Sequence, residues 1–108
     1  LAEAEPLMRR ALKIDEQSFG ENHPDFAIGL NNLAQLLLDN NRLAEAEPLS
    51  RRVVDILLRF TSETGHPHPH LNAASNTYAG LLQAMGRSTE NIRGELKKMG
   101  KRFGVNLG

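Results

Sequence analysis

An internal repeat constrains this chain more than any other feature of its sequence. The seven residues LAEAEPL occur at positions 1–7 and again, letter for letter, at positions 43–49, which is a spacing of 42 residues. A second pair of related segments, residues 23–42 and 68–87, is separated by 45 residues. Self-similarity at a period of this size is typical of helical repeat architectures. The difference between the two spacings indicates a three-residue insertion, most simply within residues 59–67.

The spacing of apolar residues within the repeat predicts helices and no strands. The first segment of the unit follows the i, i+4, i+7, i+8 rhythm of an amphipathic helix through Phe26, Leu30, Leu33, Ala34 and Leu37. Short turns, DNNR in one unit and AMGR in the next, make neighbouring helices antiparallel. The prediction is an all-α fold of five helices, over residues 2–18, 24–40, 43–61, 69–85 and 88–100.

Each copy of LAEAEPL places a proline, Pro6 or Pro48, inside a predicted helix. Proline removes one backbone hydrogen bond and clashes with the carbonyl four residues earlier. Because the apolar stripe continues beyond it, we expect a local bend or loosened bond at Pro48, with the helix continuing. Both copies also place a glutamate four residues before an arginine, an order that favours an ion pair on the helix surface.

These residues give the chain a resemblance to the tetratricopeptide repeat family. The 42-residue period, the His-Pro before the first helix, LNNLA inside it and AEAEPL at the start of the second resemble the kinesin-light-chain type of that repeat. Six residues match packing positions of the family pattern: Leu30, Leu33, Ala34, Leu37, Ala46 and Val53. The resemblance covers about residues 1–87 and implies a right-handed stack of antiparallel helix pairs. Met8 and Ser50 stand where the family usually has an aromatic side chain, and we expect Ser50 to leave a looser contact.

We interpret residues 1–108 as one repeat domain that begins halfway through a repeat. Its parts are the second helix of an incomplete repeat, a complete repeat, a degenerate C-terminal repeat with a capping helix, and a tail: residues 1–18, 23–64, 65–100 and 101–108. Because the chain opens without methionine or a leader, we expect it to start inside a larger protein. The first helix lacks a partner on one face, which predicts self-association or exchange of elements between copies.

Composition excludes several functional classes. There is no cysteine, which excludes a disulfide framework, a thiolate metal site and a cysteine nucleophile. No apolar run is long enough to span a bilayer. Residues 1–86 carry a net charge of −4 and residues 87–108 a net charge of +4, but aromatic residues make up only 5%. We therefore read the basic end as a solvated helix and expect a cytoplasmic protein with no nucleic-acid or membrane partner.

The histidine-rich segment HPHPH is the strongest candidate for metal chemistry. His66, His68 and His70 provide three imidazoles, a sufficient number for zinc or nickel. The alternating prolines, however, favour an extended path that points successive side chains apart. A His-Pro pair, His23-Pro24, also precedes the first helix of the preceding unit, where proline presets the backbone of the first turn. We expect these residues to start a helix, with no cofactor and no catalysis, and metal binding as the alternative.

The resemblance also implies where a binding site lies. In this family the first helices of stacked pairs line a concave wall that holds extended peptides, commonly through asparagines. The predicted wall consists of Ile28, Asn31, Gln35, Leu38 and Asp39, and in the next unit of Ala73, Asn76, Gly80, Gln83 and Ala84.

Asn31 and Asn76 fall at the same place in the two units, and an amide offers a donor and an acceptor to a peptide backbone. Asn32, about 100° further round its helix, is less suited to face inward. The alternative is that both asparagines are only solvated residues of a polar helix face. We expect a protein-binding or peptide-binding scaffold, or alternatively a structural, self-associating segment.

Overall fold

The computed structural model describes residues 4–107, which form five helices packed in chain order. The helices are α1 (Ala4–Phe19), α2 (Pro24–Asp39), α3 (Leu43–Thr64), α4 (Leu71–Ala84) and α5 (Thr89–Arg102). Between residues 4 and 107 there is no strand, and the all-α prediction is confirmed. The predicted start of the first helix, at residue 2, lies outside the described residues. Within residues 4–107 no helix is both long and apolar enough to cross a membrane.

Three helices end in the same hydrogen-bonded turn. Past α2, α4 and α5 stands one residue with positive φ, namely Asn41 at 59°, Gly86 at 90° and Gly104 at 70°. The next amide donates to a carbonyl five residues back, as in the 2.8 Å bond from Arg42 N–H to Leu37 O. This arrangement satisfies carbonyls that a helix end leaves unpaired. The predicted turns at DNNR and AMGR are therefore confirmed, and their shortness makes the flanking helices antiparallel.

A histidine lies just before the first helix of each repeat, α2 and α4. His23 Nδ1 accepts a hydrogen bond from the Asp25 N–H at 3.0 Å, and the first residue of α2 is a proline. His68 Nδ1 accepts the equivalent bond from the His70 N–H at 3.1 Å. Regular helix begins later in α4 than predicted, because the Leu71 N–H first donates to the His68 carbonyl at 3.0 Å in a tight turn. His23 thus caps the start of α2, and His68 caps the tight turn that leads into α4.

The three inserted residues lengthen α3. Gly20 follows α1 with φ 87° and Gly65 follows α3 with φ 76°, so the two helices end at equivalent glycines. The glycines lie 45 residues apart, whereas the starts of LAEAEPL lie 42 apart, so the extra residues are helical. Pro48 lies inside α3 and the helix continues past it, as predicted. The bend at Pro48 stays a prediction.

The core lies where α3 packs between α2 and α4. Its most completely buried large side chains are Leu33, Leu37, Val53, Val54, Leu57, Leu58, Tyr78, Leu81 and Leu82. Ser50 is also fully buried, and its Oγ has no hydrogen-bond partner among residues 4–107. A hydroxyl enclosed without a partner costs stability, typically about 1–3 kcal/mol. The looser contact expected at Ser50 stays a prediction, and this hydroxyl supplies a reason for it.

The N-terminal end of the stack is open. Leu7 and Ile14 of α1 are 62% and 56% exposed, whereas Leu12 on the opposite side is buried against α2. Gly29 allows this contact to be close, since a Cβ there would lie 2.9 Å from Leu12 Cδ2. Within the described residues, the bare face predicted for the first helix is present.

The C-terminal end of the stack is covered by its own chain. Ile92 and Met99 of α5 are buried, so the apolar stripe predicted for this helix faces the core. The helix runs two residues beyond its predicted end, and the following residues turn back along it. Val105 N–H donates to the Gly100 carbonyl at 2.9 Å, and Leu107 is buried. The segment expected as a tail therefore packs, through residues 103–107, against α5.

Candidate peptide-binding groove

Helices α2 and α4 lie in contact and carry the predicted wall. On α2, three of its predicted side chains are partly buried: Ile28, Asn31 and Leu38. The other two are exposed and bonded to each other, with Gln35 Nε2 donating to Asp39 Oδ1 at 3.0 Å. On α4, all the predicted side chains are exposed: Ala73, Asn76, Gly80, Gln83 and Ala84. The wall is thus a mostly solvated surface that is deepest at the middle of α2.

At that point the wall opens into a cavity of about 90 Å³ between α2, α3 and α4. Its lining residues are Ile28, Asn31, Asn32, Val53, Leu57, His70 and Ala74. Two of the predicted wall residues, Ile28 and Asn31, are among them. The remaining wall residues, including Asn76, lie outside this cavity.

The two asparagines that the repeat places at equivalent positions have different surroundings. Asn31 is partly buried, and its Oδ1 is shielded from solvent without a hydrogen-bond partner among residues 4–107. Asn76 is exposed. A shielded acceptor without a partner costs about 1–3 kcal/mol. Only Asn31 carries that cost.

Five lining residues were not predicted from the sequence. Val53 and Leu57 match the apolar stripe of α3, but reading α2 and α4 as single stripes could not show that α3 forms the floor between them. Asn32 was expected to be less suited to face inward than Asn31, and it nevertheless lines the cavity. Ala74 and His70 belong to the first turn of α4 and its cap, a region read as helix start only.

The histidine segment forms a helix start beside the groove. Within residues 4–107, no group of three His, Asp or Glu side chains is arranged to hold a metal ion. The His68 and His70 rings lie 5.5 Å apart, and His68 Nδ1 is already occupied by the His70 N–H. Burial, reinforced by His70, lowers the pKa of His68, which favours the neutral ring that the cap requires. His70 is the member of this segment that reaches the cavity.

Ion pairs stabilise the second helix of each repeat, α1 and α3, and join these helices to their neighbours. Both copies of the repeat form the predicted pair, each with an N···O distance of 3.0 Å: Arg9 with Glu5, and Arg51 with Glu47. Arg42 also binds Glu5, and these arginines together lower the pKa of that carboxyl. In the second copy the Tyr78 hydroxyl donates to Glu47 at 3.1 Å. These charged side chains are therefore paired with other residues of the fold.

A second cavity, of about 220 Å³, opens between α1 and α3. Its floor is apolar, with Leu12, Phe26, Leu30, Leu33 and Leu49. The cation on its rim from α3, Arg52, is paired with Glu16 at 3.8 Å and Glu21 at 3.4 Å. In the described part of the chain, none of the shielded polar atoms without a partner lines this cavity. The groove between α2 and α4 is therefore the better candidate site.

A stack of antiparallel helix pairs with equivalent turns and caps defines a helical repeat protein. A family model for the tetratricopeptide repeat matches residues 1–59, which is more than half of the chain and includes α1, α2 and most of α3. The chain therefore belongs to the tetratricopeptide repeat family. This membership indicates a protein-interaction scaffold. The comparison with curated proteins found no match.

Proposed function

We propose that the wall formed by α2 and α4 is a groove that binds an extended segment of another protein, without catalysis. The observation that carries this proposal is the cavity of about 90 Å³, lined in part by Ile28 and Asn31, in an otherwise solvated wall. The small exposed residues Ala73, Gly80 and Ala84 support it, because they leave room for a peptide backbone close to α4. The 42-residue spacing of the two LAEAEPL copies and the His-Pro at the start of α2 further support the kinesin-light-chain type of repeat.

Peptide display followed by a binding titration tests the groove. Selected peptides should bind this chain weakly, because one complete helix pair gives a short groove. Asn31→Ala should lower their affinity by about fivefold, since the loss of a hydrogen bond is typically worth about 1 kcal/mol. The equivalent change Asn76→Ala is the matched control and should have a smaller effect. Unchanged binding in the double variant would reject the groove.

A second function, self-association through α1, is favoured by the exposure of Leu7 and Ile14. Exposed apolar side chains at positions 7 and 14 lie on one helix face and provide an apolar surface for a second copy. Light scattering at increasing concentration should show dimers, and Leu7→Glu with Ile14→Glu should abolish them. Met85→Glu alters another exposed apolar residue, 44% exposed, and serves as the control. A clean monomer at high concentration contradicts this second function.

A further inference from the structure

We propose that the outer face of α5 is a docking surface for an extended acidic segment of another protein, with carboxylates at alternate residues. This basic face carries five cations and one carboxylate, and all six side chains are exposed: Arg93, Lys97, Lys98, Lys101, Arg102 and Glu90. It shares no residue with the wall of α2 and α4. The proposal therefore goes beyond the groove and is tested independently of it.

The cations of the basic face are without ion-pair partners among residues 4–107. The carboxylate of α5 that does form an ion pair, Glu95, binds Arg87 at 3.9 Å. Whereas LAEAEPL places a glutamate four residues before an arginine, α5 places cations four residues apart. The three like-charge pairs are Arg93 with Lys97, Lys97 with Lys101, and Lys98 with Arg102. Like charges at this spacing destabilise a helix, so the face bears a repulsion that bound carboxylates would lower.

The helix dipole explains only part of this charge. Cations in the last turn stabilise a helix C-terminus, which accounts for Lys101 and Arg102. The effect falls off within that turn, so Arg93, Lys97 and Lys98 gain little from it. The charge along the middle of α5 therefore has no stabilising role within the fold.

A cleft of about 360 Å³ opens between α5 and the residues that turn back along it. Its lining residues are Lys97, Lys101, Gly104, Val105 and Asn106. The space beside Gly104 is open, since a Cβ there would have no atom within 4 Å. Val105 is partly buried and gives an apolar contact, and the exposed Asn106 amide offers a donor and an acceptor to a peptide unit. A peptide backbone can therefore lie beside the two lysines.

The spacing of the cations matches an extended chain. Residues four apart on a helix are separated by about 6.0 Å along its axis. Alternate residues of an extended chain point to the same side and are separated by about 6.6–6.8 Å. An acidic residue at every second position therefore lies beside Arg93, Lys97 and Lys101 in turn. A partner helix would need an apolar seam, and the side chains of the basic face provide none.

Other polyanions fit this surface less well. Single-stranded nucleic acids stack their bases on aromatic side chains, and the exposed residues of α5 include no aromatic one. Helices that lie on membranes insert an apolar face, whereas Ile92 and Met99 of α5 are buried in the core. These differences favour an acidic protein segment.

NMR titration of the full 15N-labelled chain at low salt tests the basic face with two peptides of equal composition and charge. The peptides are acetyl-Glu-Ala-Glu-Ala-Glu-amide and acetyl-Glu-Glu-Glu-Ala-Ala-amide. The alternating peptide should give saturable shifts at the Lys97, Lys101 and Asn106 signals. The second peptide places two carboxylates on one side instead of three, and it should bind about threefold more weakly. Equal binding of the two would overturn the proposal, as would shifts confined to the wall of α2 and α4.

Lys97→Glu and the control Lys13→Glu complete the experiment. Lys97→Glu replaces two repulsive pairs by attractive ones, so thermal unfolding should show a variant at least as stable as the wild type. It should nevertheless weaken the alternating peptide by about fivefold. Lys13 of α1 is also exposed and without an ion pair among residues 4–107, and Lys13→Glu should leave binding unchanged. Equal losses in both variants would overturn the basic face.

Salt and two other polyanions test the chemistry of the partner. About 1 M NaCl, where the screening length is about 3 Å, should abolish peptide binding. Binding that persists would overturn charge pairing as its basis. A single-stranded oligothymidylate and phosphatidylserine vesicles should bind more weakly than the alternating peptide at equal concentrations of negative charge. Tighter binding of either one would overturn an acidic protein segment as the partner.

Discussion

The two copies of LAEAEPL lead into helices, α1 and α3, whose largest difference in burial is on one face. Ile14 of α1 is 56% exposed, whereas Ile56, at the equivalent position of α3, is 3% exposed. On the opposite side, Leu12 of α1 and the equivalent Val54 of α3 are both buried. Each helix is therefore packed by the helix that follows it, but only α3 is also packed by a helix that precedes it in its own repeat. The same local sequence makes the same helix, and the neighbouring helix decides what each apolar residue contributes.

The largest expected change in stability comes from shortening the side chains of the equivalent residues Ile56 and Ile14. Ile56→Ala should lower the free energy of unfolding by about 2–5 kcal/mol, because it leaves a cavity in the core. Ile14→Ala should change it by less than about 0.5 kcal/mol, because the side chain is already in water. Urea denaturation at low protein concentration measures both. Similar losses would mean that the outer face of α1 is covered in solution.

The C-terminal end of the stack extends this comparison. Its outer side is covered by residues 103–107, whereas the outer face of α1 is bare. A Cβ on Gly100 would lie 2.4 Å from the Val105 carbonyl oxygen, so Gly100→Ala should destabilise by about 1–3 kcal/mol. Gly94 in the same helix has open space around it, and Gly94→Ala should stabilise by about 0.4–1 kcal/mol. Thermal unfolding followed by circular dichroism distinguishes the two. A stabilising Gly100→Ala would show that residues 103–107 do not pack on α5.

A smaller change in stability is expected at Gly29 of α2 and Ala74 of α4, which occupy equivalent positions in the first helices of the two repeats. Ala74→Gly should cost about 2 kcal/mol, from helix propensity and one lost methyl group in the core. Gly29→Ala gains the same propensity, but its Cβ meets the flexible end of Leu12 at 2.9 Å. Its net effect should stay within about 1 kcal/mol of zero. Denaturant midpoints for both variants check this, and a strongly destabilised Gly29→Ala would mean that α1 cannot move away from α2.

The smallest predicted effect concerns pH and the cap that His68 provides for the turn before α4. Its pKa is lowered in the folded state, chiefly by burial, so the unfolded chain binds more protons below the ordinary histidine pKa. Stability should therefore fall as the pH drops below about 6.5. His68→Asn keeps an acceptor for the cap but does not titrate, and it should flatten that loss.

The difference between wild type and His68→Asn at pH 5 should amount to about 1–2 °C in Tm, as expected for a few tenths of a kcal/mol. His66→Asn is the matched control, because His66 is exposed. An equal flattening in both variants would show that the cap at His68 is not responsible for the pH dependence.

Much of the fold could be predicted from the sequence because its determinants are local. The five helices, the αL residues Asn41 and Gly86, and the continuation of α3 past Pro48 depend on apolar spacing and on the backbone preferences of single residues. The bare face of α1 also followed from the repeat, since comparison with residues 43–64 shows which partner is missing. Of the predicted wall residues, Ile28 and Asn31 line the cavity.

The rest of the site depends on contacts between residues far apart in the chain. The repeat makes Asn31 and Asn76 equivalent, but only Asn31 has both the α3 floor and the start of α4 beside it. His70 reaches the cavity because the turn at His68 delays the start of α4, and no spacing rule expresses that. Sequence alone thus determined the helices, the turns between them and the kind of protein, because these follow from interactions within a few residues. The tertiary structure alone decided that Asn31, and not Asn76, lines a cavity, because that requires three helices to meet at one point.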